Sequence, residues 1–169
     1  MKVESKNFGN ISYTNEEVIV FKEGLPGFTK FKQYILVENE DLKPFSLLQS
    51  VEKGDISFVI VNPEIFRPNY KAVASVEELK DVCIESTDSA RVFSLVTMSD
   101  RKEDVTMNLK APIIINTEKK LGAQVILKDT DYDIEYKMFA TNKKTEGRYR
   151  SYETTVTVEA PRNEIEVNF

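Results

Sequence analysis

The sequence predicts a mainly β protein: a small antiparallel β-barrel-like domain with one short helix and a C-terminal β-hairpin extension. Short apolar runs with a period of two residues recur along the chain at spacings typical of barrels and sandwiches. Most runs carry apolar residues on both faces, so neither side of the predicted sheet can be left in water. Only one stretch has helical periodicity. The 169 residues are enough to build one sizeable hydrophobic core.

The centre of the predicted sheet is a hairpin made by residues 45–51 and 56–61. Alternate residues of each run point to opposite faces, and both faces are apolar. We therefore expect Phe58 and Ile60 to be buried. Gly54, in the polar link between the runs, can supply a positive φ for the turn.

The remaining strands of the domain follow from similar short runs. Pro26-Gly27 fits the two central positions of a type II turn, because Pro presets φ and Gly accepts a positive φ. Leu25 and Phe28 flank this turn and are expected to anchor it to the core. Strands are predicted at residues 2–8, 11–13, 18–21, 34–37, 91–98, 105–109, 113–115 and 123–127.

Residues 64–70 fit neither a strand nor a helix. Pro63 ends the preceding strand, Pro68 keeps the segment extended, and Phe66 and Tyr70 give it aromatic weight. Two interpretations remain open. The segment is either a loop folded over one barrel end with both aromatics buried, or a recognition ridge with one aromatic exposed.

The one helical pattern begins at Ser75. Ser75 and Glu78 match a capping box, with Ser75 as the N-cap and Glu78 reaching back to it. The pattern predicts about two helical turns over residues 76–83, with Cys83 as apolar filler. The apolar stripe would contain Val76, Leu79, Val82 and Cys83, and the outer face Glu77, Glu78, Lys80 and Asp81. The acidic outer face is either a solvated surface or part of a partner site.

Several kinds of chemistry are disfavoured by composition. The chain has no histidine and a single cysteine, which excludes His-assisted nucleophiles, His-based zinc sites and intramolecular disulfides. Residues 129–133 match the first ligands of an EF-hand loop, but Ile134 stands in the glycine slot and Ala140 in the glutamate slot. No Asp/Glu pair lies in an evident apolar pocket. We expect no metal, no cofactor and no enzymatic activity.

The N-terminal residues have no apolar signal core, and no run of eighteen apolar residues is present. These features predict a soluble, cytoplasmic protein without membrane contact. The net charge of −5 disfavours direct nucleic-acid binding and suits a basic protein partner.

The last thirty residues differ in pattern from the rest. Residues 140–152 are polar and predict a linker. Residues 154–158 and 165–169 alternate apolar and polar side chains and predict a hairpin with one apolar face. An isolated hairpin is marginal in water, so we expect it to pack on the barrel or add to one of its edges. The alternative is docking onto a second copy, which would make a dimer.

Five segments in order resemble the bacterial flagellar assembly factor FliW family. They are FKEGLPGF (21–28), PFSLLQS (44–50), FVIVNP (58–63), NLKAPIIIN (108–116) and GAQVIL (122–127). The resemblance implies a FliW-like β-barrel domain over residues 1–139, leaving 140–169 as a C-terminal extension.

The resemblance also implies a function. Proteins of this kind bind flagellin in the cytoplasm before its secretion. They also bind CsrA, a small basic RNA-binding repressor of flagellin synthesis, and prevent its action. The resemblance thus implies a monomeric, non-enzymatic antagonist of CsrA that couples flagellin synthesis to secretion. A barrel that encloses a small ligand, without catalysis, is the alternative.

The candidate partner-binding residues lie on the segment after Pro63 and on the outer face of the predicted helix. The two groups are close in sequence and could form one patch. They are Phe66, Asn69, Tyr70, Glu77, Glu78 and Asp81.

Overall fold

The computed structural model of the chain describes residues 1–85, 87–128, 130–139, 155–159 and 164–165. Within these residues the regular structure consists of strands and short 3-10 turns. The strands are β1 Lys2–Ser5, β2 Gly9–Ser12, β3 Ile19–Val20, β4 Gln33–Val37, β5 Phe45–Ser50, β6 Ser57–Val61, β7 Lys71–Ser75, β8 Ala90–Thr97, β9 Thr106–Met107, β10 Ile113–Asn116, β11 Leu121–Gln124, β12 Tyr136–Lys137, β13 Thr155–Glu159 and β14 Glu164–Ile165. The 3-10 turns are Asn15–Glu17, Glu40–Leu42, Pro63–Ile65, Thr87–Ser89 and Lys102–Asp104.

Seven of the described strands close into a barrel, in the spatial order β3-β4-β5-β6-β8-β10-β11. The central hairpin pairs β5 with β6 antiparallel, with Leu47 opposite Val59. Strand β8 is long enough to pair with both β6 and β10. The barrel closes where β11 runs parallel to β3, with Leu121 opposite Val20. The predicted mainly β, barrel-like fold is confirmed.

The strands are apolar on both faces because the barrel wall separates two hydrophobic clusters. Along β10, Ile113 and Ile115 join the cluster inside the barrel, whereas Ile114 joins a second cluster outside it. Such alternation is what a pleated strand buried on both sides requires. The inner cluster contains Ile19, Phe21, Leu25, Tyr34, Leu48, Ile56, Ile60, Phe93, Ile113 and Ile115. Large side chains therefore fill the barrel interior.

The outer cluster is covered by β7, the turns after it, and the short strands β9 and β12. Its largest members include Tyr70, Met107 and Leu109, all at most 1% exposed. Strand β9 extends the sheet beyond β8 and carries β12 on its other side. One face of the barrel is thus built up into a second layer.

Two expectations about the central hairpin need correction. Ile60 is fully buried, but Phe58 is only half-buried, with its ring 5.0 Å from that of Phe28 at the rim of the inner cluster. Gly54 does not adopt a positive φ. A Cβ at Gly54 would lie 1.8 Å from the Glu4 carbonyl oxygen, so the glycine is needed for close approach of the β1–β2 hairpin.

The predicted helix over residues 76–83 is wrong: the segment forms consecutive turns. Its capping box does form, with Glu78 Oε2 accepting from the Ser75 N–H at 2.8 Å and the Ser75 hydroxyl at 2.9 Å. Leu79 and Val82 are buried as expected, but Val76 is 50% exposed. Cys83 adopts a left-handed conformation (φ 50°) and is only partly buried. Tertiary anchoring outweighs the helical propensity here.

That anchoring comes from Asn116, which is 1% exposed. Its amide nitrogen donates to the carbonyls of Val82 and Cys83, both at 3.0 Å. Its amide oxygen accepts from the N–H groups of Glu118 and Lys119 at 3.1 and 2.9 Å. One buried side chain thus ends the turns and fastens them to the barrel.

Strand β7 was not predicted, and it carries the C-terminal extension. Strand β13 pairs parallel to β7, from Thr155 opposite Lys71 to Glu159 opposite Ser75. Strand β14 pairs antiparallel to β13, with Val158 opposite Ile165, as the predicted hairpin requires. The predicted linker, residues 140–152, lies outside the described residues.

Candidate partner-binding surface

The segment after β6 begins with a 3-10 turn at Pro63–Ile65. The Asn62 side chain starts this turn by accepting from the Glu64 N–H at 3.0 Å. The following residues 67–69 are exposed, and Asn69 adopts a left-handed conformation with φ 64°. Asparagine tolerates that conformation better than most residues. We call residues 64–70 the ridge.

The two ridge aromatics have different environments. Tyr70 is fully buried, and its hydroxyl donates to the Leu109 carbonyl at 2.8 Å. In this conformation Tyr70 therefore presents no surface to solvent, and its role in partner binding stays a prediction. Phe66 is half-buried, stacked 6.2 Å from Phe45 and edge-on to Phe139 at 5.5 Å. The ridge thus exposes Asn69 and part of the Phe66 ring to solvent.

Residues 76–83, which we call the acidic turn, present two of the predicted carboxylates to solvent. Glu77 forms an ion pair with Lys80 at 2.6 Å, and Asp81 lies 3.9 Å from Lys22. The Glu77 side chain is 80% exposed and that of Asp81 34%. Exposed pairs of this kind contribute little to stability, so both carboxylates can exchange their lysine for a partner's cation at low cost.

Glu78 is occupied by the fold. Besides the capping bonds from Ser75, its Oε1 lies 3.1 Å from the Lys128 ammonium. Burial raises the pKa of the Glu78 carboxyl, but the Ser75 hydrogen bonds and Lys128 outweigh burial and leave that pKa below its usual value. Glu78 is therefore mainly a structural residue.

The ridge and the acidic turn are joined by β7 and lie at its two ends. A five-residue strand spans about 13–17 Å. The predicted residues consequently do not form one contiguous cluster. They lie on either side of β7, in which Ala72 and Ala74 are buried.

A cleft of about 900 Å³ lies beside the ridge and was not predicted. Arg91 on β8 binds Glu38 in a bidentate pair, with N–O distances of 2.6 and 3.1 Å, and its guanidinium lies 4.8 Å from the Phe93 ring centroid. The Arg91 hydrogen bonds lower the pKa of Glu38. Phe45 and Asn62 also line the cleft. Phe45 and Asn62 belong to segments that carry the family resemblance. That resemblance was the sequence signal that could have indicated the cleft.

Within the described part of the chain, no group of three or more Cys, Asp or Glu side chains is arranged to hold a metal ion. Asp131 and Asp133 of the rejected calcium motif are described, whereas Asp129 lies outside the described residues.

No helix of the described segments has the length and apolar character to cross a bilayer.

Comparison with known proteins identifies the class. A family model described as FliW protein matches residues 2–138. The chain therefore belongs to a class of flagellar assembly factors, and proteins of this class are not enzymes. The chain belongs to the FliW family, as its sequence motifs predicted.

Individual relatives agree. The flagellar assembly factor FliW of Caldanaerobacter subterraneus subsp. tengcongensis is 41% identical over 139 residues, which are 80% of this chain and 91% of the relative. That of Clostridium tetani is 36% identical over 144 residues, 85% of this chain and 99% of the relative. A crystal structure of the flagellar assembly factor FliW superposes with a TM-score of 0.77 at 34% identity, covering 82% of this chain and 97% of the relative.

Proposed function

We propose that this protein binds flagellin and antagonises the translational repressor CsrA, and so couples flagellin synthesis to flagellin secretion. The observation that carries the proposal is membership of the FliW family over residues 2–138. Because CsrA and newly made flagellin are both cytoplasmic in this scheme, the proposal places the protein in the cytoplasm. It acts there as a monomer through protein contacts alone.

Charge supports a basic partner. The family-like region, residues 1–139, carries 23 acidic and 18 basic residues, whereas the extension carries five of each. Complementary fields speed the encounter of an acidic protein with a basic one, most strongly at low salt. Glu77 and Asp81 on the acidic turn, with Asn69 and Phe66 on the ridge, are our candidate contacts.

The proposal is tested with purified CsrA, flagellin and a flagellin leader RNA. A gel shift of the RNA by CsrA should be reversed by adding this protein, and added flagellin should restore it. The protein alone should leave the RNA unshifted. If neither CsrA nor flagellin binds in titration calorimetry at micromolar concentrations, the proposed function is wrong.

The alternative, a barrel that encloses a small ligand, has less support. Phe21, Tyr34, Leu48 and Ile60 occupy the barrel interior and are all fully buried. Ligand-binding barrels keep that space open. No observation on this chain favours the alternative over protein binding.

A further inference from the structure

Strand β7 lies between the ridge and the acidic turn and has two edges with different environments. The Lys71 N–H is bonded to the Tyr132 hydroxyl at 3.0 Å, and the Ser75 N–H to Glu78 Oε2 at 2.8 Å. Backbone groups of alternate residues point to the same edge of a strand. Residues 71, 73 and 75 thus share one edge, and side chains of the family-like region cover it at Lys71 and Ser75.

The opposite edge of β7 presents the N–H and C=O groups of Ala72 and Ala74. Strand β13 covers this edge in parallel register, with Val156 opposite Ala72 and Val158 opposite Ala74. Among the described residues, β13 is the only strand that pairs with β7. An uncovered edge of this kind is a template for another extended chain.

The occupant of this edge lies outside the part shared with the family. The family match ends at residue 138, and 82% of this chain suffices to cover 97% of the FliW crystal structure. The FliW of that crystal structure is therefore folded, and the part of it that matches this chain contains no counterpart of β13. The covering strand is an addition to that fold.

We propose that the edge of β7 covered by β13 is a strand-addition site for an extended segment of a protein partner, and that residues 155–159 are its intramolecular occupant. Strand addition supplies affinity through main-chain hydrogen bonds. The candidate contacts Asn69 and Glu77 lie at the two ends of β7, so the occupant crosses the middle of the candidate surface. This inference rests on the proposed function only in taking the partner to be a protein.

A tethered occupant lowers the apparent affinity of any competitor. A strand joined through a short linker competes at a millimolar effective concentration. The partner's apparent affinity equals its affinity for the open edge multiplied by the fraction of molecules whose edge is open. Residues 155–159 would thus set a threshold concentration below which the partner does not bind.

The test locks the occupant in place. Val73 and Thr157 are opposed across β7 and β13. We would introduce Val73→Cys and Thr157→Cys with Cys83→Ser in the full chain and oxidise the pair with oxidised glutathione. The matched control, Val73→Cys with Thr155→Cys, is two residues out of register and too distant to bridge. Flagellin and CsrA are then titrated separately onto the oxidised and reduced proteins.

An intramolecular disulfide should form in the test variant and not in the control. At least one partner should bind the reduced test variant about tenfold more tightly than the oxidised one. The control should show no such change. Failure of the disulfide to form, a disulfide between two molecules, or equal affinities in the two redox states would overturn the proposal.

A second measurement separates this inference from the proposed function. A fluorescein-labelled peptide of residues 153–167 should bind a protein of residues 1–139 and not the oxidised full chain. If neither flagellin nor CsrA binds any form while the peptide behaves as expected, the proposed function fails and the strand-addition site stands. If the peptide does not bind residues 1–139, the strand-addition site is wrong.

Discussion

The hydroxyl groups of Tyr34 and Tyr70 are both buried, yet their hydrogen bonding differs. That of Tyr70 donates to the Leu109 carbonyl, whereas that of Tyr34 has no partner among the described residues. Burial, and then the charge of Glu52, raise the pKa of Tyr34 to about 12, so the hydroxyl remains neutral. A buried polar group without a partner costs stability, and a paired one does not.

The two tyrosines therefore predict opposite outcomes for the same substitution. Tyr70→Phe should lower the free energy of unfolding by about 1–2 kcal/mol, because it leaves the Leu109 carbonyl unpaired. Tyr34→Phe should be neutral or stabilising. Urea unfolding of both variants checks this, and each serves as the control for the other. Equal losses would mean that the Tyr34 hydroxyl has a partner after all.

Glu78 predicts how stability depends on pH. Its folded-state pKa is lowered, so its charge stabilises the fold above the unfolded-state pKa of about 4.3, and this contribution is lost as the pH falls through the folded-state pKa. Glu78→Gln keeps a capping acceptor but loses the pairing with Lys128. Its stability deficit should be largest above pH 5 and shrink below pH 4.

Urea unfolding at pH 7, 5, 4 and 3 measures this deficit. Glu135→Gln, at an exposed position, is the matched control. A Glu78→Gln deficit that stays constant down to pH 3 would show that the side chain acts by shape and hydrogen bonding rather than by charge.

At the scale of elements, β11 contains a glycine that makes room for the ring of Phe21, the residue directly after β3. A Cβ on Gly122 would lie 2.5 Å from the ring of Phe21, which is fully buried. Overpacking of this kind typically costs about 1–3 kcal/mol, and we expect that loss for Gly122→Ala. Phe21→Leu should relieve the clash. The double variant should therefore be more stable than the sum of the two single losses, and additive losses would contradict the contact.

The acidic turn predicts an electrostatic effect on partner binding. Glu77→Lys with Asp81→Lys should weaken CsrA binding and flatten its dependence on salt, because the steering field is reversed there. Glu4→Lys with Glu16→Lys changes the net charge equally on exposed residues near the N-terminus and is the control. Binding is measured by calorimetry at two salt concentrations. Equal effects of both variants would assign the steering to net charge instead of this turn.

Elements were predicted well where side-chain alternation determined them and poorly where tertiary contacts did. The two-sided apolar runs of β5, β6, β8 and β10 identify strands buried on both faces. The sequence pattern did not predict strand β7, because its buried residues, Ala72 and Ala74, are small and weakly β-forming. The helical spacing of Leu79 and Val82 correctly identified two buried residues. It could not reveal that Asn116, more than thirty residues away, holds the segment in turns.

At the scale of the whole molecule, the sequence motifs identified the barrel and the family, because several separate segments had to agree. The partner surface was harder to predict. Whether Tyr70 or Phe66 faces solvent depends on Leu109, Phe45 and Phe139, which are distant in sequence. Likewise, the edge chosen by β13 depends on Tyr132 and Glu78 covering the other edge of β7. Local patterns do not encode such choices.

The C-terminal extension gives the last prediction, on stability and mass. Strand β13 pairs with all five residues of β7 within one chain. The N–H and C=O groups of Ala72 and Ala74 can form four hydrogen bonds to β13, and each net hydrogen bond contributes about 0.5–1.5 kcal/mol. Deleting residues 140–169 should therefore lower the free energy of unfolding by about 2–6 kcal/mol and leave a monomer. Deleting only residues 166–169 keeps both paired strands and is the control. Urea unfolding and light scattering give the two readouts. Loss of a dimer would mean that the strand docks onto a second copy, and unchanged stability and mass would mean that the extension contributes nothing to the fold.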